Sequence, residues 1–232
     1  MQQLPAFGWV VVTMTAGAGL TAATVEAAPL TLRLTSDASI ITVVDNGVGD
    51  TDTAIGQVAF SGTVGGIETA ITVGVSNSPG TSDLASLNLT SLAINNVGGA
   101  TSLMVELSDA GFLAPNPAGG VIDLLAAASA STTVGSVDVD FTGYANDSNG
   151  IFATEQASSP AGFSVSTPAG TGSSAITPVT LGAPYSLTSV LELDIDAGTI
   201  ATVTGNTSII PEPATLALIA AGIAVGVIRR RA

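Results

Sequence analysis

Cysteine, histidine and lysine are absent from this chain of 232 residues, and all four of its cations are arginines. Without cysteine there is no disulfide, no thiolate nucleophile and no cysteine-built metal site. Without histidine there is no imidazole ligand and no general base that titrates near neutral pH, which excludes a serine–histidine triad. Without lysine there is no Schiff base and no P-loop phosphate contact. These absences favour a protein that is not an enzyme.

Positive charge is scarce in the chain as a whole. The four arginines face 18 acidic residues, and the formal net charge is -14 at pH 7. We expect no nucleic-acid partner, since phosphates must be met by clustered cations. Hydrophobic residues make up 46% of the chain and charged residues 9%, a composition too apolar for disorder. The chain is therefore predicted to be folded, aliphatic and acidic.

Residues 1–27 have the pattern of a secretory signal peptide. An apolar stretch of small residues spans 7–23, and Val25 and Ala27 place small side chains at the third and first positions before the cleavage site. The α-amino group supplies the only positive charge before this stretch. The alternative is a buried N-terminal helix, which the glycines of the segment disfavour.

The other end combines a Pro-Glu-Pro triplet, an apolar run and an arginine cluster. An apolar run that ends in arginines is a stop-transfer signal, with the arginines in the cytoplasm and the body outside. A helix of about 15 residues is roughly 22 Å long, which is short for a hydrocarbon core of about 30 Å. We expect a single transmembrane helix over residues 214–228 that acts as a transient handle in the inner membrane. The flanking residues are Pro211, Glu212 and Pro213 before the run and Arg229, Arg230 and Arg231 after it.

The order of these three parts over residues 209–232 resembles the PEP-CTERM sorting signal, a segment also known as the ice-binding-protein C-terminal domain. The resemblance implies export in a Gram-negative-type bacterium and processing by an exosortase-type membrane peptidase. It also implies residence at the cell surface or in the extracellular matrix, in association with exopolysaccharide. We expect a cut near Pro211–Pro213 that removes the tail. An ordinary single-span membrane anchor is the alternative.

The body, residues 28–208, alternates apolar and polar residues with a period of two. Such alternation is typical of half-buried strands, and turn signals separate the strands at short intervals. The pattern predicts an all-β fold, an antiparallel β-sandwich with one core rather than two units divided near residue 131. We expect three exceptions to strand structure: a short helix over Val121–Ala130 and loops over Gly111–Gly120 and Ala157–Pro178.

A glycine-rich loop contains the candidate metal ligands Asp45, Asp50 and Asp52. Oxygen ligands on a flexible loop suit Ca²⁺, and no other cofactor is expected. The spacing does not match an EF-hand, and no bidentate glutamate follows at the right distance. The alternative is an Asn-Gly hairpin at Asn46 with solvated acids along its rim.

The remaining acids carry weaker signals. Asp138 with Asp140 and Asp194 with Asp196 lie two residues apart on predicted strands, which is typical of a solvent-facing side. Glycoside hydrolysis needs two carboxylates around one sugar, but Glu68, Glu106 and Glu192 are expected to face solvent along strands. The body contains no tryptophan to stack on a sugar, which disfavours both hydrolase and lectin functions. The four glutamates are Glu68, Glu106, Glu155 and Glu192.

Two functions follow from the sequence. The first is an exported, non-enzymatic surface or matrix protein that is sorted through its tail. The second is a calcium-assisted module that binds polysaccharide through the loop at 45–52. In either case Arg33 is the only cation between residues 28 and 208. Salt bridges are therefore expected to contribute almost nothing to the fold.

Overall fold

The computed structural model describes residues 29–115, 121–166 and 169–211, and these residues form β-strands and no helix. The signal peptide predicted for 1–27 and the membrane helix predicted for 214–228 lie outside the described residues. Within the described ranges, no helix is long and apolar enough to cross a membrane. In chain order the strands are β1 (Thr31–Ser36), β2 (Ser39–Val44), β3 (Gln57–Val64), β4 (Ile67–Ser76), β5 (Ala85–Asn96), β6 (Thr101–Phe112), β7 (Ile122–Val134), β8 (Ser136–Asn146), β9 (Ala157–Ser166), β10 (Ala169–Val179), β11 (Tyr185–Ile195) and β12 (Ile200–Pro211).

The strands form two six-stranded antiparallel sheets, which confirms the predicted all-β sandwich. The front sheet has the order β2-β1-β6-β11-β8-β9, and the back sheet has the order β10-β7-β12-β5-β4-β3. One hydrophobic core draws buried side chains from all of these strands. Each sheet contains strands from before and after residue 131, so the two sheets are not two successive halves of the chain.

The alternation along each strand determines which face is buried. In β11, Leu191, Leu193 and Ile195 are buried, whereas Glu192 and Asp194 between them are exposed. Successive side chains of a strand point to opposite faces, so this strand presents an aliphatic side to the back sheet and an acidic side to solvent. Burying each such Leu or Ile contributes roughly 1.5–3 kcal/mol.

The two sheets approach closely where a glycine of one faces a side chain of the other. A Cβ at Gly205 on β12 would lie 2.7 Å from Cε2 of Phe141 on β8. A Cβ at Gly143 on β8 would lie 2.8 Å from Oγ1 of Thr207 on β12. Real carbon atoms do not approach this closely, so these two glycines are required by the packing of β8 against β12.

The helix predicted over Val121–Ala130 is wrong, because the segment belongs to strand β7. Its alternate residues Ile122, Leu124, Ala126 and Ala128 are all buried on one side. The alanine-rich composition favours a helix locally, but pairing with β10 and β12 on either side supplies every backbone partner that a strand requires. Tertiary context overrides local propensity here.

The loop predicted over Ala157–Pro178 is also wrong, because these residues form most of the edge strands β9 and β10. Each of the two pairs with only one neighbour, so serine, glycine and proline are tolerated there. Pro160 lies within β9, and an edge strand is where a sheet accommodates proline. In the loop predicted over Gly111–Gly120, the first two residues still belong to β6, and 116–120 lie outside the described residues.

We predict that Gly205→Ala destabilises the fold by about 1–3 kcal/mol, because the new methyl group overpacks against Phe141. For a domain of this size the melting temperature should fall by roughly 2–4 °C per kcal/mol. The control is Gly99→Ala, since a Cβ at Gly99 meets nothing within 4 Å. Equal melting temperatures for the two variants would contradict the close approach of the sheets.

Candidate functional site

The predicted sorting motif begins at the end of the last strand. Pro211 is the final residue of β12 and lies opposite Ile122, the first residue of β7. The other motif residues, Glu212 and Pro213, lie outside the described residues, as do Arg229, Arg230 and Arg231 of the predicted stop-transfer cluster. The structure therefore places the start of the motif directly on the folded body.

Strand β12 is an interior strand of the back sheet, between β5 and β7. Thr207 and Ile209 are completely buried. Ile209 lies opposite Ala85 of β5 on one side and Leu124 of β7 on the other. The backbone of this strand is thus hydrogen-bonded along both edges until two residues before it ends.

A buried hydrogen bond ties β12 to the opposite sheet. The hydroxyl of Ser189 on β11 donates to Oγ1 of Thr207 at 2.8 Å, and both side chains are buried. Both hydroxyls lie in an aliphatic core, where an unpaired polar group is costly. If β12 were shifted along its neighbours, both hydroxyls would lose their partner, so this hydrogen bond disfavours other registers of the strand. The strand that precedes the motif is therefore held in one position.

A family model for the PEP-CTERM protein-sorting motif matches residues 210–232. The chain carries a PEP-CTERM sorting signal. The match confirms the resemblance of the tail, and its first two residues, Ile210 and Pro211, are the last two of β12. A PEP-CTERM signal implies export, passage through the membrane and processing by an exosortase. No curated protein is significantly similar in sequence to the chain.

Two solved structures are weakly similar to the chain. The enzymatically active domain of tailspike protein 4 from bacteriophage CBA120 is 11% identical, with a TM-score of 0.33; the match covers 54% of this chain and 18% of the tailspike chain. The infectious bursal disease virus structure, Gx strain, is 12% identical with a TM-score of 0.18, and the match covers 88% of this chain and 63% of the viral chain. TM-scores this low do not establish a shared fold.

The loop between β2 and β3 uses its carboxylates to hold its own backbone. Asp50 Oδ1 accepts the backbone N–H groups of Asp52 at 3.0 Å and Ala59 at 2.9 Å. Its Oδ2 accepts the N–H of Asn46 at 2.8 Å. Burial alone would raise the pKa of Asp50, but these N–H donors outweigh it and hold the pKa below its usual value.

The two other predicted calcium ligands have similar roles. Asp45 Oδ2 accepts the N–H of Gly56 at 2.7 Å, and Asp52 Oδ1 accepts the N–H of Ala54 at 2.8 Å. Across the described residues, no group of three or more acidic side chains is arranged to hold a metal ion. Calcium binding at this loop stays a prediction. Asp50 and Asp52 each accept the backbone N–H of the residue two positions further on, which makes each of them an Asx-turn. Aspartates in a glycine-rich loop are a local signal for such turns.

Acidic side chains line part of the outer face of the front sheet. Asp138 lies directly opposite Asp194, and Asp140 lies opposite Glu192, on the neighbouring strands β8 and β11. All four side chains are exposed, as their alternating positions predicted. Like charges placed directly across a strand pair destabilise a sheet, so solvent exposure is what makes this arrangement tolerable.

The one arginine of the described residues forms an ion pair that the sequence did not predict. Arg33 on β1 donates through Nε and Nη2 to both carboxylate oxygens of Glu106 on β6. The hydrogen bond to Glu106 raises the pKa of Arg33. The guanidinium carbon also lies 4.1 Å from the ring centre of Phe152, within cation–π range. The expectation that Glu106 faces solvent is wrong, because the residue is only 5% exposed.

Asp109 on β6 is a second buried acid, and no cation of the described residues pairs with it. Its Oδ1 accepts the backbone N–H of Ala110 at 2.7 Å, and the side chain of Ser76 also hydrogen-bonds to it. Burial raises the pKa of Asp109 to about 6, and the nearby charge of Asp45 adds to the rise. This carboxyl group therefore ionises inside the fold close to neutral pH.

We predict that ionisation of Asp109 lowers the free energy of unfolding as pH rises. Folding raises the pKa of this carboxyl group from 3.8 to about 6. Below the unfolded-state pKa the shift leaves the free energy of unfolding unchanged. Between the two pKa values it lowers that free energy increasingly, and above the folded-state pKa the full loss is reached. Asp109→Asn removes that loss. Relative to the variant, the wild type should lose up to about 3 kcal/mol between about pH 4 and pH 7.5.

Denaturant unfolding of both proteins at the two pH values measures this difference. The repulsion among the other acids is common to both proteins and cancels in the comparison. A wild-type-minus-variant difference that does not change with pH would contradict the buried position of Asp109.

Proposed function

We propose that the protein is an exported, non-enzymatic β-sandwich that an exosortase-type peptidase processes and sorts to the cell surface or extracellular matrix. The observation that carries the proposal is the PEP-CTERM match over residues 210–232, which begins on the last strand of the folded body. Export accounts for residues 1–27 as a signal peptide and for 214–228 as a membrane segment. The tail is then a sorting device, and the sandwich is the part that is delivered.

The proposal of a non-enzymatic role is supported by the amino-acid composition. Cysteine, histidine and lysine, which supply most nucleophiles and near-neutral bases, are absent from the chain. The two buried acids have structural explanations. Glu106 pairs with Arg33, and Asp109 is buried near the C-terminal end of β6. The association with exopolysaccharide rests on the family resemblance of the tail alone.

The alternative function is a calcium-assisted module that binds polysaccharide through Asp45, Asp50 and Asp52. Under this alternative, millimolar Ca²⁺ would raise the melting temperature, and Asp50→Asn would abolish the rise. Under the proposed function, Ca²⁺ leaves the melting temperature unchanged. The backbone N–H groups that already occupy these carboxylates favour the second outcome.

We predict that, in a host that makes the exosortase, the protein recovered outside the cytoplasm lacks the arginine cluster. Deleting the exosortase gene should leave the intact chain in the membrane fraction, because an apolar run followed by arginines stops transfer. Intact-mass spectrometry of both fractions measures the outcome. The control is Glu192→Gln, which changes the charge of an exposed residue of the body and should leave processing unchanged.

A surface-exposed protein that keeps Arg229–Arg231 in the presence of the peptidase would contradict the proposal. That result would instead identify the tail as an ordinary membrane anchor.

A further inference from the structure

Two aliphatic side chains extend into solvent from the loop between β2 and β3, residues 45–56. Val48 is 98% exposed and Ile55 is 92% exposed, the two highest values among the large hydrophobic residues that the structure describes. Neither side chain contributes to the core, so the fold alone gives no reason for an aliphatic residue at either position. Both are available to a partner with an apolar surface.

The aspartates of the same loop have the opposite environment, since Asp45, Asp50 and Asp52 are all half-buried. Asp45 Oδ2 accepts the N–H of Gly56 at 2.7 Å, and Asp50 Oδ1 accepts the N–H of Ala59 at 2.9 Å. These hydrogen bonds join residues 11 and 9 positions apart in sequence and close the base of the loop. The charged groups therefore hold the loop in a conformation that leaves its aliphatic side chains outside.

This loop lies at the end of the sandwich from which the sorting tail leaves. The N–H of Ser76, the last residue of β4, donates to the carbonyl of Gly56 at 2.9 Å. Strand β5 begins at Ala85, which lies opposite Ile209, two residues before β12 ends at Pro211. Adjacent antiparallel strands alternate in direction, so the end of β4, the start of β5 and the end of β12 are at the same end of the back sheet. Three strand spacings, about 14 Å, separate β3 from β12.

Two neighbouring loops place exposed leucines at this end as well. Leu84 lies directly before β5, and Leu113 lies directly after β6. The N–H of Leu113 donates to the carbonyl of Pro79 in the loop between β4 and β5 at 2.9 Å, so these two loops are in contact. We call Val48, Ile55, Leu84 and Leu113 the tail-end surface.

The position of the tail decides which partner the tail-end surface meets. The apolar run predicted to enter the membrane begins at Ala214, and three residues reach at most about 11 Å from Pro211. This end of the sandwich is therefore at the membrane surface whenever the tail is inserted. Aliphatic side chains gain free energy when they leave water for the boundary between headgroups and acyl chains. The tail also keeps the local concentration of lipid high, so a few side chains are enough for contact.

We propose that the tail-end surface docks on a zwitterionic lipid bilayer, with Val48 and Ile55 inserted at the level of the headgroups. This inference rests on the proposed function, because it requires the tail to be in the membrane. An anionic bilayer would repel the aspartates of the loop and the exposed Asp83 beside Leu84. So few aliphatic side chains do not anchor a protein by themselves, and the contact ends when the tail is removed.

Single fluorescent labels test the inference, because the chain has no cysteine and each introduced cysteine gives one labelled position. Full-length Val48→Cys and Ile55→Cys chains, labelled and reconstituted through their tails, are compared in phosphatidylcholine vesicles with and without bromine on the acyl chains. We expect bromine to quench both labels at least about twofold, because both positions enter the acyl boundary.

The matched control is Val97→Cys, since Val97 is 69% exposed and lies in the turn between β5 and β6 at the opposite end of the sandwich. The 12 residues of β5 place this turn about 36 Å from the tail end, so its label should not be quenched. Equal quenching at positions 48 and 97 would overturn the inference, because the contact would then come from the fluorophore or from the whole body.

A label at Ala220→Cys, within the predicted membrane run, separates this inference from the proposed function. Quenching at 220 without quenching at 48 and 55 overturns the inference and leaves the proposed function standing. Absence of quenching at 220 shows that the tail is not inserted and overturns both.

A charge on the tail-end surface gives a second test. With the label at Ile55→Cys, the further change Val48→Asp should lower the quenching at least about twofold, because a carboxylate resists transfer out of water. Val97→Asp is the matched control and should leave the quenching unchanged. Equal quenching in the two variants would overturn the inference. Quenching that is undiminished in vesicles of anionic phosphatidylglycerol would overturn the choice of zwitterionic lipid.

Discussion

Burial of two aliphatic sheet faces against each other, in a body with almost no positive charge, is the constraint on which the rest of the structure depends. The 18 acids less Glu26 and Glu212 leave 16 acids in residues 28–208, with Arg33 as their only cation. Cohesion must therefore come from apolar packing and strand hydrogen bonds. The acids are mostly exposed, and the two charged exceptions on β6 differ: Glu106 is neutralised by Arg33, whereas Asp109 takes up a proton near neutral pH.

The same constraint explains why the end of the chain matters to the fold. Strand β12 is the last strand of the described residues, yet it lies between β5 and β7 in the interior of the back sheet. The core between the sheets is incomplete until this strand is inserted, and its partners are distant in sequence. The segment next to the sorting signal is therefore also the segment that completes the back sheet.

The alternation of apolar and polar residues predicted the strands correctly where one face is aliphatic and the other charged, as in β11. It was less reliable in β7, where alanine occupies three of the buried positions, at 126, 128 and 130, and has no strand preference of its own. The edge strands β9 and β10 have weak patterns because each has one neighbour. Arg33 and Glu106 are 73 residues apart in sequence, so only the strand register brings them together. The tail motif could be predicted from its residues alone, whereas the extent of β12 up to Pro211 is known only from the structure.

The central claim is that β12, up to the edge of the sorting motif, is part of the cooperative core. Native-state amide hydrogen exchange of the full-length chain, resolved by residue, tests it most directly. We expect the amides of Thr207 and Ile209 to exchange only through global unfolding, with protection equal to that of Leu191 on β11. Exchange of these two amides as fast as that of the edge strand β10 would contradict it.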